Sequence, residues 1–232
     1  MVEWMNGDKE ETFAGEPNGV TRSYGKIYVT NTGSRTDVFD AETYEFITCI
    51  GTGTWGEGGY QTVHAFDVTA SQGAVFIRDK RKLVVVLEQD VQPGSAARVP
   101  IYSRSVNLQE AMGTYAVAAR NDGFLYVTAQ NKNMIYLFDP ADIRAGDTGF
   151  APYLVTLGFE KSPQAIAFVG DRLFVTLRVD DKRSELWEIS PKNGKLLQDF
   201  TDSMVYPEKI AGARHTLLVV DRATQTVKAI GL

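Results

Sequence analysis

A strand-sized run that returns five times constrains this chain more than any other feature. Gly25-Lys26-Ile27-Tyr28-Val29-Thr30-Asn31 recurs as Gly73-Ala74-Val75-Phe76-Ile77-Arg78-Asp79 and as Gly123-Phe124-Leu125-Tyr126-Val127-Thr128-Ala129. Two further copies are Arg172-Leu173-Phe174-Val175-Thr176-Leu177 and Thr216-Leu217-Leu218-Val219-Val220-Asp221. The equivalent residues Tyr28, Phe76, Tyr126, Phe174 and Leu218 are spaced by 48, 50, 48 and 44 positions. Strand-period alternation recurs throughout and helix-period patterning is almost absent, so the chain reads as all-β.

Each copy sits among the same companions. A strand precedes it, such as Gln164 to Val169, and another follows it, such as Thr36 to Asp40 or Met134 to Asp139. A turn comes next, written Asp40-Ala41-Glu42, Asp139-Pro140-Ala141-Asp142 or Ser190-Pro191-Lys192-Asn193-Gly194, with residues that preset or permit turn dihedrals. An outer strand closes the unit, as in Phe46 to Ile50 or Tyr153 to Leu157. Four antiparallel strands repeated at about 45 residues is the pattern of propeller blades, which bury their faces by packing on one another around an axis. The expected fold is a single five-bladed β-propeller domain over 1–232, with blades near 19–60, 61–112, 113–161, 162–205 and 206–232. The fifth unit ends after its third strand at Thr226 to Leu232, and spare residues within 1–18 precede the first blade. A strand from Val2-Glu3-Trp4-Met5, or from Thr12 to Ala14, is therefore expected to pair with Thr226 to Ile230 and close the ring.

Ile27-Tyr28-Val29-Thr30-Asn31-Thr32-Gly33 followed by Val38-Phe39-Asp40 resembles the blades of NHL-repeat and YVTN-type propellers, and Tyr28-Val29-Thr30-Asn31 spells the second motif outright. The resemblance covers all five units and is specific for fold. It implies frequent occurrence in exported or cell-envelope proteins and in modules that bind other molecules. Five units is a departure from the six or seven usual in those families, which leaves room for further blades outside these residues.

Composition narrows the partners. The net charge of -5 argues against a nucleic-acid surface, which needs clustered cations. The one tight basic run, Lys80-Arg81-Lys82, lies between two strands and reads as a solvated turn. Cys49 is the sole cysteine, so no internal disulfide can form, and its place in a strand-like run reads as a small buried apolar residue. No membrane-spanning run of about 18 apolar residues occurs. Residues 1–16 are polar and acidic, which fits the cytoplasm, or export if a leader has been removed.

Catalytic motifs are scarce. His64 and His215 lie far apart without metal-ligand spacing, so neither a metal nor another cofactor is expected. Gly51 to Gly59 lacks the Gly-Lys-Ser/Thr ending of a phosphate loop and reads as a blade connection. The carboxylates Asp40, Asp79, Asp90, Asp122, Asp139, Asp180, Asp181 and Asp221 read as turn residues. One constellation remains. The second residue at the entry to each innermost strand is polar: Asn18, His64, Thr114, Gln164 and Glu208. These five are expected to ring one mouth of the central channel as a ligand-binding site. Long connections at 90–112, with a short helix near 106–112, and at 139–152 are further candidate surfaces.

The reading is a non-catalytic binding or protein-interaction module, exported or envelope-associated and monomeric. Its ligand is expected to be a small polar molecule or a loop of a partner protein. The alternative is a metal-assisted hydrolase, lactonase or lyase acting at the channel mouth. Propeller lactonases hold a divalent ion with Glu, Asn and Asp side chains at the axis, and the matching positions here do not repeat that set.

Overall fold

A computed structural model describes residues 16–33, 35–51, 64–79, 83–93, 102–104, 116–139, 141–142 and 155–232. Blade one comprises β1 (Pro17–Ser23), β2 (Lys26–Asn31), β3 (Arg35–Asp40) and β4 (Phe46–Ile50). Blade two comprises β5 (Ala65–Ser71), β6 (Ala74–Asp79), β7 (Leu83–Leu87) and β8 (Tyr102–Arg104). Blade three has β9 (Val117–Ala119), β10 (Leu125–Ala129), β11 (Met134–Phe138) and β12 (Val155–Gly158). Blade four has β13 (Ser162–Val169), β14 (Arg172–Arg178), β15 (Ser184–Ile189) and β16 (Leu196–Asp199). Blade five has β17 (Pro207–Ala213), β18 (Thr216–Asp221) and β19 (Thr226–Gly231). Every sheet is antiparallel in chain order, and the five form a ring, so the fold is a β-propeller.

All five repeated runs are second strands. Short reversals feed them: Tyr24-Gly25 and Gln72-Gly73 both have positive φ, the geometry of two-residue hairpin turns whose twist matches the flanking strands. Asp40 Oδ1 accepts from the N–H groups of Glu42 and Thr43 at 2.8 Å, and Asp139 Oδ1 accepts from Ala141 N–H at 2.7 Å. Those carboxylates do act as turn residues. Asp79 and Asp221 do not: they end β6 and β18 and are fully buried.

Among the described residues, four seams join successive blades. In each, the anchor residue of one blade points at the next. Tyr28 packs with Ala65, Val68 and Val75, Phe76 with Val117 and Leu125, Tyr126 with Ile166 and Leu173, and Phe174 with Leu217 and Val219. The first four anchors are 0%, 0%, 1% and 0% exposed, whereas Leu218 is 38% exposed. Along β18, Leu217 and Val219 are buried against blade four and Asp221 is buried at the strand end, while Leu218 and Val220 alternate outward. Blade one differs at its own outer face, where Ile27, Phe39 and Ala41 form a buried cluster. The expected closing strand, and the short helix near 106–112, lie outside the described residues.

A bulge near the entry to the inner strand recurs in blades one, two, four and five, at Pro17/Gly19, Ala65/Asp67, Pro163/Ile166 and Pro207/Lys209. A bulge leaves an N–H without its ladder partner. Threonine in the second strand supplies one in blades one and four, where Thr30 and Thr176 Oγ1 accept from the N–H of Gly19 and Ala165 at 2.9 Å, and Thr128 Oγ1 accepts likewise from Ala116 N–H at 3.0 Å at the entry to blade three. The threonine of the Tyr-Val-Thr-Asn motif therefore has a specific task, pinning the bulge of the neighbouring strand.

Candidate ligand site at the channel mouth

The bulges decide which residues share the ring. Thr21, Thr69, Ala118, Ala167 and Ala211 each pair with the anchor of their blade. Three positions earlier stand Asn18, Phe66, Tyr115, Gln164 and Glu208. The register thus places Phe66, not His64, beside Asn18, Gln164 and Glu208. His64 precedes the strand by one residue, with its ring stacked on Phe66 at 6.0 Å. Thr114 lies outside the described residues, as does Tyr115. Asn18 is occupied structurally, its Nδ2 donating to Ala65 O at 3.2 Å across the first seam.

Gln164 and Glu208 do come together. They line a cavity of about 400 Å³ with Gln130, Arg178, Asp181, Tyr206, Lys209 and Arg222. The walls come from three successive blades, at the end of the ring where inner strands begin and second strands finish. Gln130, Arg178 and Arg222 stand four residues after the anchors Tyr126, Phe174 and Leu218. That column of the repeat, completed by Thr32 and Lys80, is polar in every copy. It is the sequence signal that would have revealed the cavity.

Arg178 pairs with Asp181, and Arg222 with Glu208 at 3.2 Å. The Arg222 guanidinium also sits 5.8 Å from the Tyr206 ring centroid. Asp221 fixes this wall from below, accepting from the N–H of Tyr206 and Val205 at 3.0 and 3.1 Å and from Lys228 Nζ at 3.2 Å. Burial would raise the Asp221 pKa, but the two backbone donors and Lys228 outweigh it and hold the group at about 2. Gln164 Oε1 is buried without a hydrogen-bond partner. Among the described residues no group of three or more His, Cys, Asp or Glu is placed to hold a metal ion. Nor is any helix there long and apolar enough to cross a membrane.

One residue further along each inner strand, Gly19, Asp67, Ala116, Ala165 and Lys209 hold equivalent places, as the register shows. Asp67 Oδ2 accepts from Val117 N–H at 2.9 Å, tying blade two to blade three. Burial lifts the Asp67 carboxyl to about 6, opposed by Lys209 and by the N–H groups of Val117 and Val68. A folded-state pKa above the ordinary value means that the folded protein binds the extra proton. Asp67 thus stabilises the fold below about pH 4, and that contribution is lost as pH rises through about 6. The expected size is at most about 3 kcal/mol. Denaturant titrations at pH 4.5 and 7 should show this slope, and Asp67→Asn should remove it. An unchanged slope in that variant would assign it to other groups.

No family model and no curated protein sequence matches the chain. Solved structures match in fold. Virginiamycin B lyase from Staphylococcus aureus superposes with a TM-score of 0.59 at 12% identity, covering 95% of this chain and 71% of that one. The Nidogen/Laminin complex matches with a TM-score of 0.62 at 16% identity, covering 94% and 77%. The Neurospora crassa Pan2 WD40 domain matches with a TM-score of 0.56 at 10% identity, covering 94% and 67%. A structure of inactive virginiamycin B lyase with quinupristin has 66% of its length covered, so the chain spans roughly two thirds to three quarters of these structures. At such identities the likeness shows the β-propeller fold and nothing finer.

Proposed function

We propose that the chain is a single-domain, YVTN-type propeller that binds a small polar ligand at the cavity between blades three, four and five. The observation that carries this reading is the convergence of eight side chains from three blades on one cavity, Gln164 with its unpartnered acceptor among them. Rigid strand ends hold these groups, so little ordering entropy is lost when a ligand enters. A partner-protein loop would use the same donors and acceptors. Neighbours of this fold include WD40 and laminin-complex propellers as well as a lyase. The carboxylates of the described lining, Glu208 and Asp181, are each paired with an arginine, Arg222 and Arg178, which favours binding over turnover. The resemblance of the blades supports an exported or envelope setting.

A metabolite screen followed by calorimetry tests the reading. Gln164→Ala with Glu208→Ala is expected to weaken any hit at least ten-fold with little change in melting temperature, because neither side chain belongs to a packed seam. Unchanged affinity would remove the cavity from consideration, and chemical conversion of the bound molecule would replace binding with catalysis.

A further inference from the structure

Each seam has two halves. The projecting half is the anchor of one blade: Tyr28, Phe76, Tyr126 or Phe174. The receiving half lies on the next blade. In blades two, three and four it is Val68, Val117 and Ile166 of the inner strand, paired across the ladder with Ile77, Val127 and Val175. These three inner residues are 4%, 3% and 4% exposed. The two end blades each keep one half without its complement. On blade one the register puts Val20 and Val29 in the receiving places, and Val20 is 61% exposed. Arg22, two residues along β1, is tied back to the carbonyl of Ala41 at 3.4 Å. On blade five the projecting half is Leu218 with Val220 and Val227, exposed by 38%, 39% and 68%. Ala211 and Ala229 pair with or beside Leu218 and are exposed too, while Lys209 stands at the mouth end of this face in the row of Val220. The halves do not meet within one chain, since β17 lies along β13 but not along β1.

We propose that the outward face of blade five docks on blade one of a second copy of this chain, forming between molecules the same kind of seam that joins blades within one. The argument is complementarity: the anchor column and the receiving column fit each other four times in this fold, and each copy carries one spare of each. Exposed apolar faces of this extent mark association surfaces. The contact is head-to-tail, because two different faces are joined. It is also small. Three strands of about six residues present roughly 300 Å² of flat sheet, below the about 800 Å² per partner of a stable interface, so the pairing is reversible and depends on concentration.

Sedimentation of the full chain from about 1 μM to about 1 mM tests this, and the average mass is expected to rise from 25.6 kDa across that range. Val20→Lys and Leu218→Lys should each weaken self-association about a hundred-fold or more, because either closes an unpaired charge into an apolar contact. Both positions are exposed in the single chain, so neither variant should shift the melting temperature of a dilute sample. A mixture of the two variants is expected to form a one-to-one pair, since blade five of the Val20→Lys copy and blade one of the Leu218→Lys copy are both intact. Val20→Ile and Leu218→Ile should associate like the parent chain. A chain that stays monomeric at every concentration would overturn the proposal. Association that both lysine variants leave unchanged would do the same, as would a mixture that stays monomeric while the parent chain associates. A monomer whose dilute melting temperature falls with Val20→Lys would overturn it in favour of a face covered within one molecule.

Discussion

Phe174→Ala is expected to cost about 3–5 kcal/mol, whereas Leu218→Ala at the equivalent place in the next blade should cost less than about 1 kcal/mol. Phe174 is fully buried in the fourth seam among Ala167, Val169, Leu186, Met204, Leu217 and Val219. The Phe200 ring meets it edge-on at 5.8 Å, and the Arg172 guanidinium lies 5.4 Å from its centroid. Truncation there removes a whole aromatic ring and leaves a cavity walled by two rigid sheets, which relax only partly. Leu218 already faces outward, so its removal opens no void. Denaturant midpoints at constant slope would measure both. Equal costs would mean that the outward face of blade five is packed like the other seams.

Gly212→Val should be more disruptive still. A Cβ at Gly212 would stand 1.8 Å from the carbonyl oxygen of Phe168 and 3.2 Å from Val169 Cγ2. Glycine is thus what lets β17 lie directly against β13. Even Gly212→Ala must push the strands apart, at about 1–3 kcal/mol for an overpacked contact, and the branched side chain adds to that. Gly231→Ala is the matched control, also in a strand of blade five but with nothing within 4 Å of the added carbon. It should be neutral or slightly stabilising. If Gly212→Ala melts with Gly231→Ala, the close approach of the two inner strands is wrong.

The blades were legible because a strand advertises itself twice, in alternating side chains and in turn residues at its ends. Phe46 to Ile50 and the five anchor runs needed no more than that. The mouth of the ring was harder. Blades one, two, four and five carry the same bulge, but Pro17, Pro163 and Pro207 mark its place in three of them, while Ala65 stands there in blade two and leaves His64 two places from Phe66. A slip of two residues leaves the alternation of the strand intact but changes which side chain meets the axis. Arg178, Asp181 and Arg222 were missed for another reason. They end or follow second strands rather than begin inner ones, and only the ring's geometry shows that these two sets of ends meet.

The seams between blades also bear on how the molecule opens. In a chain of stacked units, each unit's stability is its own plus a share from every neighbour it touches. Among the described residues blades two, three and four lie in two seams each, blade one in the first alone and blade five in the fourth alone. An excursion in which β17 to β19 part from blade four therefore opens one seam among the described residues, where detaching a middle blade opens two. Tyr206, Glu208, Lys209 and Arg222 travel with that excursion, while Gln130, Gln164 and Arg178 stay behind. The two walls of the cavity lie on either side of that seam, so a ligand bridging them also clasps blade five to blade four.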